Sequence, residues 1–315
     1  MPRKANTGDW LALLLLTALW GTAFAFIEIA LAAWTPEALV AGRLVSAALV
    51  LVAYLWAKGV RLPRRAADWL PMIVMAVLGS LIPFHLVAWA QQYITSSMAA
   101  VLMAVMPLYV LTLAHFFVPG SRLTATKCVG FAVGFVGVVL VIGPESIAAA
   151  DTSAAFAGAV AVLAASLSYA VNSIYARRLG AGDPVQLSAG LLIVASFVSV
   201  PVALGGEVTV ATPGFAATAS VLILGLFSTG FATLLYFRII QGPGPTFLSL
   251  VNYLVPGWAL VIGALILNET IAPLAYAGMA LILGGIGVSE FGSTLYRRAV
   301  GRVTLSEAQT AGDNP

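Results

Sequence analysis

Residues 10–33 read WLALLLLTALWGTAFAFIEIALAA. A helix of roughly 20 apolar residues crosses the hydrocarbon core of a bilayer, and helices suit lipid because they satisfy their own peptide groups. This stretch meets that requirement with a single ionisable side chain, Glu28. Arg3 and Lys4 precede it, and Ala30-Leu31-Ala32 imitates a leader-peptide cleavage site. The run nevertheless exceeds the roughly 7–15 apolar residues of a leader. It reads as a retained first membrane helix.

Working outward, the same pattern recurs. We expect helices near 10–32, 37–57, 69–91, 95–118, 124–142, 154–176, 184–205, 215–240, 244–267 and 273–295. The connections, such as 58–68, 143–153 and 205–214, are short and rich in Gly, Pro, Asp and Arg. Of the 315 residues 61% are hydrophobic and 9% charged, against about 25% charged in a soluble domain. The fold class expected is therefore an all-α membrane protein of ten transmembrane helices. A β-barrel is excluded by the lack of two-residue alternation. A net charge of +3 spread over short loops gives no basis for nucleic-acid binding. Cys128, the only cysteine, forms neither a disulfide framework nor a metal site and reads as a small apolar filler.

Orientation follows from Lys and Arg, which gather in cytoplasmic loops. With both termini cytoplasmic, every basic residue except Arg43 falls inside, from Arg3 and Lys4 through Arg122 to Arg297, Arg298 and Arg302. The outer connections then carry only acids: Glu37, Glu145, Asp151, Glu207 and Glu269. Arg43, about one turn inside helix 2, is expected to snorkel outward or to pair with Glu28 or Glu37.

The second half repeats the first at an offset of about 149 residues: Trp20 falls on Tyr169, Glu28 on Arg177 and Pro107 on Pro256. Five helices per half is an odd number, so the two repeats must be inverted. That architecture typifies secondary transporters, with the substrate near the midplane between the repeats. The units expected are residues 1–149 and 150–298, followed by a cytoplasmic tail at 299–315.

Particular motifs carry a family resemblance over nearly the whole chain. They are Trp20-Gly21-Thr22, Pro36 to Arg43, Gly225 to Thr229, Pro256 to Asn268-Glu269-Thr270, and Gly278 to Gly285. With these the chain resembles the drug/metabolite transporter superfamily, EamA type, and within it the aromatic amino acid exporters. Where that family usually has Gly-Glu-Arg after helix 4, this chain reads Gly120-Ser121-Arg122. The resemblance implies amino acid efflux through a central cavity lined by helices 1, 3, 4, 6, 8 and 9.

A polar group at midplane depth is costly unless it has a task or a partner. Helix 3 is the most informative, reading SLIPFHLVAWAQQ over residues 80–92. Pro83 removes a backbone donor, which kinks the helix and frees a carbonyl. His85 and Trp89 lie four residues apart on one face. Pro107 and Pro256 interrupt equivalent helices, the best sequence pointer to a transporter's binding site. We take Pro83, Pro107 and Pro256 as hinges. The substrate contacts expected are His85, Trp89, Tyr109, Asn172, Tyr175, Tyr236, Asn252, Tyr253 and Trp20, a set suited to a mixed polar and apolar ligand. Gly130, Gly134 and Gly137 in helix 5, and Gly278, Gly284 and Gly287 in helix 10, permit close helix approach, either between halves or in a dimer.

No carboxylate sits at midplane depth, since Glu28 and Glu290 lie toward helix ends, so obligate proton coupling is disfavoured. No nucleophile, nucleotide loop or metal-ligand set is recognisable. The expectation is a non-enzymatic inner-membrane transporter of a bacterial cell, without cofactor or metal. Its partners are a small-molecule substrate and the lipid bilayer, with the chain a monomer or homodimer. It would export neutral, including aromatic, amino acids or similar amphipathic metabolites by facilitated alternating access. The alternative is a proton-coupled exporter of drugs or organic cations.

Overall fold

The structure is a computed structural model that describes residues 5–118, 124–143, 154–179 and 183–288. The basic residues Arg3, Lys4, Arg122, Arg297, Arg298 and Arg302, the acids Glu145, Asp151 and Glu290, the Gly120-Ser121-Arg122 motif and the 299–315 tail lie outside the described residues. The helices are α1 (Thr7–Leu31), α2 (Pro36–Ala57), α3 (Ala66–Ala90), α4 (Ser96–Phe117), α5 (Ala125–Ile142), α6 (Ala154–Leu179), α7 (Pro184–Leu204), α8 (Phe215–Gln241), α9 (Val251–Ile266) and α10 (Pro273–Val288). The first eight are long and apolar enough to cross a membrane, and α9 and α10 are shorter apolar helices. The only extended pairing among the described residues is an isolated bridge between Trp34 and Thr209.

Helix starts follow local chemistry. Asn6 and Asp9 form a capping box, each side chain accepting from the other's backbone N–H. Thr35 and Asp183 cap α2 and α7, and Pro36 and Pro184 occupy the first helical position, where a missing N–H costs nothing. The Thr35 hydroxyl also donates to the Glu207 carbonyl at 3.1 Å, tying the α1–α2 turn to the α7–α8 connection.

The main helix pairs are preserved when each helix is exchanged for the one five places on. α1 packs on α8 and α9, as α6 packs on α3 and α4. α2 meets α8 as α7 meets α3, while α2–α7 and α4–α9 are pairs that map onto themselves. Because five helices separate equivalents, equivalent helices run in opposite directions, as inverted repeats require.

Lipid supplies no hydrophobic drive between helices, so close approach relies on small residues and polar ties. At the α5–α10 contact a Cβ on Gly137 would meet the Gly278 carbonyl oxygen at 2.6 Å, and one on Gly278 would meet the Gly137 oxygen at 2.6 Å. Gly285, rather than the expected Gly284 or Gly287, packs on Gly130 and Gly134; the other two face open space. Gly285 lies one heptad beyond Gly278 and returns to the same face within about 20°, whereas Gly284, one residue earlier, points about 100° away. The glycine stripe therefore joins the two halves.

Two helices depart from regular α geometry at matching places. α3 contains a π-helical stretch at Val77–Leu81 and α8 one at Leu224–Phe231. α4 is interrupted at Ala104 and Val105, and its second section begins at Met106. α9 starts later than expected, after a separate turn at Pro245–Leu248 and a break at 249–250. A π-bulge inserts one extra residue per turn and marks functional sites often, yet hydrophobic periodicity over short windows does not reveal it.

Candidate substrate path

The site is built around the two π-helical stretches. In α3 the Ile82 N–H bonds back five residues to the Val77 carbonyl. The next residue is Pro83, whose missing N–H would have served the Leu78 carbonyl. That orphan is taken by Ser168 of α6, whose hydroxyl donates to it at 2.8 Å. Pro107 of α4 similarly lacks the N–H that would reach the Met103 carbonyl four residues back. The Ser166 hydroxyl, also from α6, lies 3.4 Å from that oxygen. One face of α6 thus repairs both proline interruptions. Pro256 behaves differently. It is buried inside α9, which continues through it, because the break falls earlier, at 249–250.

In α8 the Thr229 hydroxyl donates to the Leu224 carbonyl five residues back at 2.9 Å and accepts from Arg43 Nε at 2.8 Å. The Arg43 guanidinium lies 3.8 Å above the Phe84 ring, one residue beyond Pro83. Arg43 is 8% exposed. It therefore neither snorkels outward nor pairs with Glu28 or Glu37; a hydroxyl and an aromatic face hold it between α3 and α8. A stacked, weakly hydrated guanidinium tolerates such a place better than an ammonium would.

The expected site residues fall into several groups. His85 Nδ1 hydrogen-bonds the Leu81 carbonyl at 2.7 Å, while its Nε2 is buried without a protein partner. Asn172 of α6 packs against Gly79 of the α3 π stretch, and its Oδ1 is likewise buried and unpartnered. Trp89 is exposed and contacts Tyr93 edge-on at 5.0 Å. Trp20 and Tyr236 come together across α1 and α8 with ring centroids 6.0 Å apart. Tyr109 and Tyr253 both pack, half-buried, on the core shared by α4, α5, α6, α9 and α10. Tyr175 is half-buried on α6, and Asn252 is exposed at the start of α9.

Other polar residues escaped sequence reasoning. Ser228 Oγ is buried and unpartnered in the α8 π stretch. Trp258 Nε1 donates to Thr22 Oγ1 at 2.9 Å where α9 crosses α1 beside Gly21. At the start of α4, Glu28 and Glu269 converge on Ser96 and Ser97. Their positions near helix ends concealed them, since 241 residues of sequence separate the two acids. The Gly225-to-Thr229 motif was the available signal for the α8 site, but nothing in its spacing announces a π turn.

The EamA-like transporter family model matches the chain twice, over residues 7–143 and 156–290. The "Uncharacterized inner membrane transporter YedA" of Escherichia coli K12 is 26% identical over 296 residues, covering 90% of this chain and 91% of that protein. The "Probable terminal-alkyne amino-acid exporter" of Streptantibioticus cattleyicolor is 30% identical over 312 residues, covering 98% of this chain and 99% of the relative. A crystal structure with 22% sequence identity superposes with a TM-score of 0.65, covering 91% of this chain and 99% of the other, which is a likeness of fold.

Proposed function

The chain belongs to the EamA-like transporter family, and from that premise we propose that it exports neutral amino acids, aromatic ones among them, or metabolites of similar amphipathic build. It is a membrane transporter; the substrate class is our reading. The observation that carries it is the amino-acid exporter of Streptantibioticus cattleyicolor, alike over almost the full length of both chains. The arrangement of polar groups agrees. His85 Nε2 and Asn172 Oδ1 are buried polar atoms without protein partners, both beside the α3 π stretch. Such atoms cost free energy in isolation. Both are acceptors, since His85 Nδ1 donates to the Leu81 carbonyl, so an ammonium group of a substrate would satisfy them, and Trp20 with Tyr236 would face its side chain.

In this reading residues 1–149 and 150–298 are the two rocking repeats, and the 299–315 tail and both termini face the cytoplasm of a bacterial cell. Pro83 and Pro107, with the 249–250 break ahead of Pro256, mark the bending places. Transport is facilitative. Proteoliposomes loaded with a panel of labelled amino acids test it: efflux of at least one neutral amino acid is expected, reduced by His85→Ala and Asn172→Ala. No flux of any amino acid, with or without a pH gradient, overturns it.

A second reading, proton-coupled export of drugs or organic cations, is favoured by the convergence of Glu28 and Glu269. It requires that flux collapse with the proton gradient. Exchange that is indifferent to the gradient rejects it.

A further inference from the structure

The start of α4 leaves its first backbone N–H groups without partners inside the helix, as every helix start does. Here side chains from three separate places fill them. Thr95 Oγ1 accepts from Met98 N. Glu269 Oε1 accepts from Ser96 N at 2.8 Å and from the Ser96 hydroxyl at 2.7 Å, and its Oε2 accepts from Ser97 N at 3.2 Å. Glu28 Oε2 approaches the same Ser96 N–H at 3.1 Å. Glu28 comes from the last turn of α1 and Glu269 from the turn after α9, so three helices meet at this point.

The approach of Glu269 is built into the backbone. Asn268 takes a left-handed conformation, φ 53°, immediately after α9. The Glu269 N–H then bonds back to the Gly263 carbonyl at 3.1 Å, one residue further than the 6→1 bond of a Schellman turn. Gly263 is the floor of the site. A Cβ there would occupy the space beside both Glu269 Oε2 and Ser97 Oγ. Ser97 is 3% exposed, and its hydroxyl has no hydrogen-bond partner. A buried hydroxyl thus stands unused next to a carboxylate.

The donors do not suffice for two anions. Three hydrogens, those of Ser96 N, Ser96 Oγ and Ser97 N, are directed at Glu269, while Glu28 has only a share of the first. A helix N-terminus offers about half a unit of positive charge, enough to favour one carboxylate. Both carboxyl groups nevertheless crowd one donor: Glu269 Oε1 lies 2.8 Å and Glu28 Oε2 3.1 Å from Ser96 N. Ionised carboxylates only accept and repel each other across that single N–H, and a hydrogen between them relieves both. We propose that Glu28 and Glu269 form a proton-binding site, in which Glu28 carries the proton and donates it to the Glu269 carboxylate, locking α1, α4 and the α9–α10 turn together. In the orientation proposed above this lock closes the outer end. Loss of the proton places two negative charges on one helix start, and the repulsion separates α1 from the α9–α10 turn. The Ser97 hydroxyl then supplies one further hydrogen to the doubly charged pair.

The other ionisable groups on the packed elements do not compete. Asp9 lies at the opposite end of α1, about 28 Å away by helix rise. His115 is at the far end of α4, at a similar distance. The remaining groups on these elements are the phenols Tyr93, Tyr109, Tyr253 and Tyr276. On α6, Arg177 and Arg178 occupy the last turn, at the same end as His115. On α2, Arg43 is engaged by Thr229 and Phe84, and Glu37 stands in the first turn.

The site can be tested on purified full-length protein without knowing the substrate, so failure of the transport reading leaves it standing. Infrared difference spectra across a pH titration should show one protonated-carboxyl band that vanishes as pH rises. Glu28→Gln and Glu269→Gln should each abolish it in monodisperse protein, whereas Glu37→Gln should not. In a Cys128→Ser background, maleimide labelling of Ile94→Cys, buried beside Ser96, should accelerate as the band disappears by several-fold more than the same label on an exposed reference cysteine, whose rate reports the thiolate fraction alone. Glu28→Gln should remove that excess. A titrating band that survives in both Gln variants, no titrating band in the wild type, or no excess acceleration in the wild type overturns the proposal.

Discussion

Gly278 and Gly284 stand six residues apart on α10 and should respond to the same substitution in opposite ways. A Cβ at Gly278 would lie 2.6 Å from the Gly137 carbonyl oxygen and 3.1 Å from Val141 N, both backbone atoms of α5 that no rotamer change can move. Ordinary contact begins at 3.4 Å, so Gly278→Ala forces α5 and α10 apart by about 0.8 Å along the stripe that joins the halves. Overpacking of this kind costs roughly 1–3 kcal/mol. With about 2–4 °C lost per kcal/mol, the midpoint of thermal unfolding in detergent should fall by roughly 2–12 °C. At Gly284 nothing lies within 4 Å, and alanine there brings only better helix propensity, worth up to about 1 kcal/mol in water. Gly284→Ala should therefore melt at or slightly above the wild-type temperature. Equal melting of Gly278→Ala and wild type would refute the account of the α5–α10 contact, as would an equal fall in both variants.

Ser168→Ala leaves the Leu78 carbonyl without a donor beside Pro83 and should cost about 0.6–2 kcal/mol, the range for interhelical hydrogen bonds in membranes, read as a lowered unfolding midpoint; Ser168→Thr should retain most of it. Arg43→Lys keeps the charge but loses the Nε bond to Thr229 and the planar stack on Phe84. It should destabilise by about 1–3 kcal/mol and broaden the Thr229 backbone signal in exchange measurements, and unchanged stability would show that the guanidinium shape is immaterial.

The fold was legible because membrane solvation acts on whole helices. Apolar length, basic loops and repeated prolines each report a property of some twenty residues, and they agree. The site was less so, because its determinants are single hydrogen bonds between distant segments. Arg43 illustrates the difference. From sequence alone an arginine one turn inside a helix end has a cheap escape to the interface. It stays buried because Thr229, 186 residues away, and Phe84 converge on it, and no local pattern encodes that meeting. Pro107 and Pro256 match in sequence, yet only Pro107 coincides with an interruption, since the α9 break is displaced to 249–250. Glu28 and Glu269 were legible as residues and invisible as a pair. Asn268 supplies the missing information, because its left-handed turn decides where Glu269 points.

The serines of α6 have no true counterparts on α1. At the equivalent places stand Thr17, whose buried hydroxyl has no partner, and Leu19. Ser166 and Ser168 splint α3 and α4 to α6, so these three helices should travel as one beam. α8 and α9 have no serine splint from α1; their tie to it is the Trp258–Thr22 bond on the α9 side. The two bundles, α6 with α3 and α4, and α1 with α8 and α9, each draw helices from both repeats and share one architecture, yet they differ in stiffness. A rocking motion between them would bend one arm and swing the other, giving the cycle a preferred side without any difference in topology.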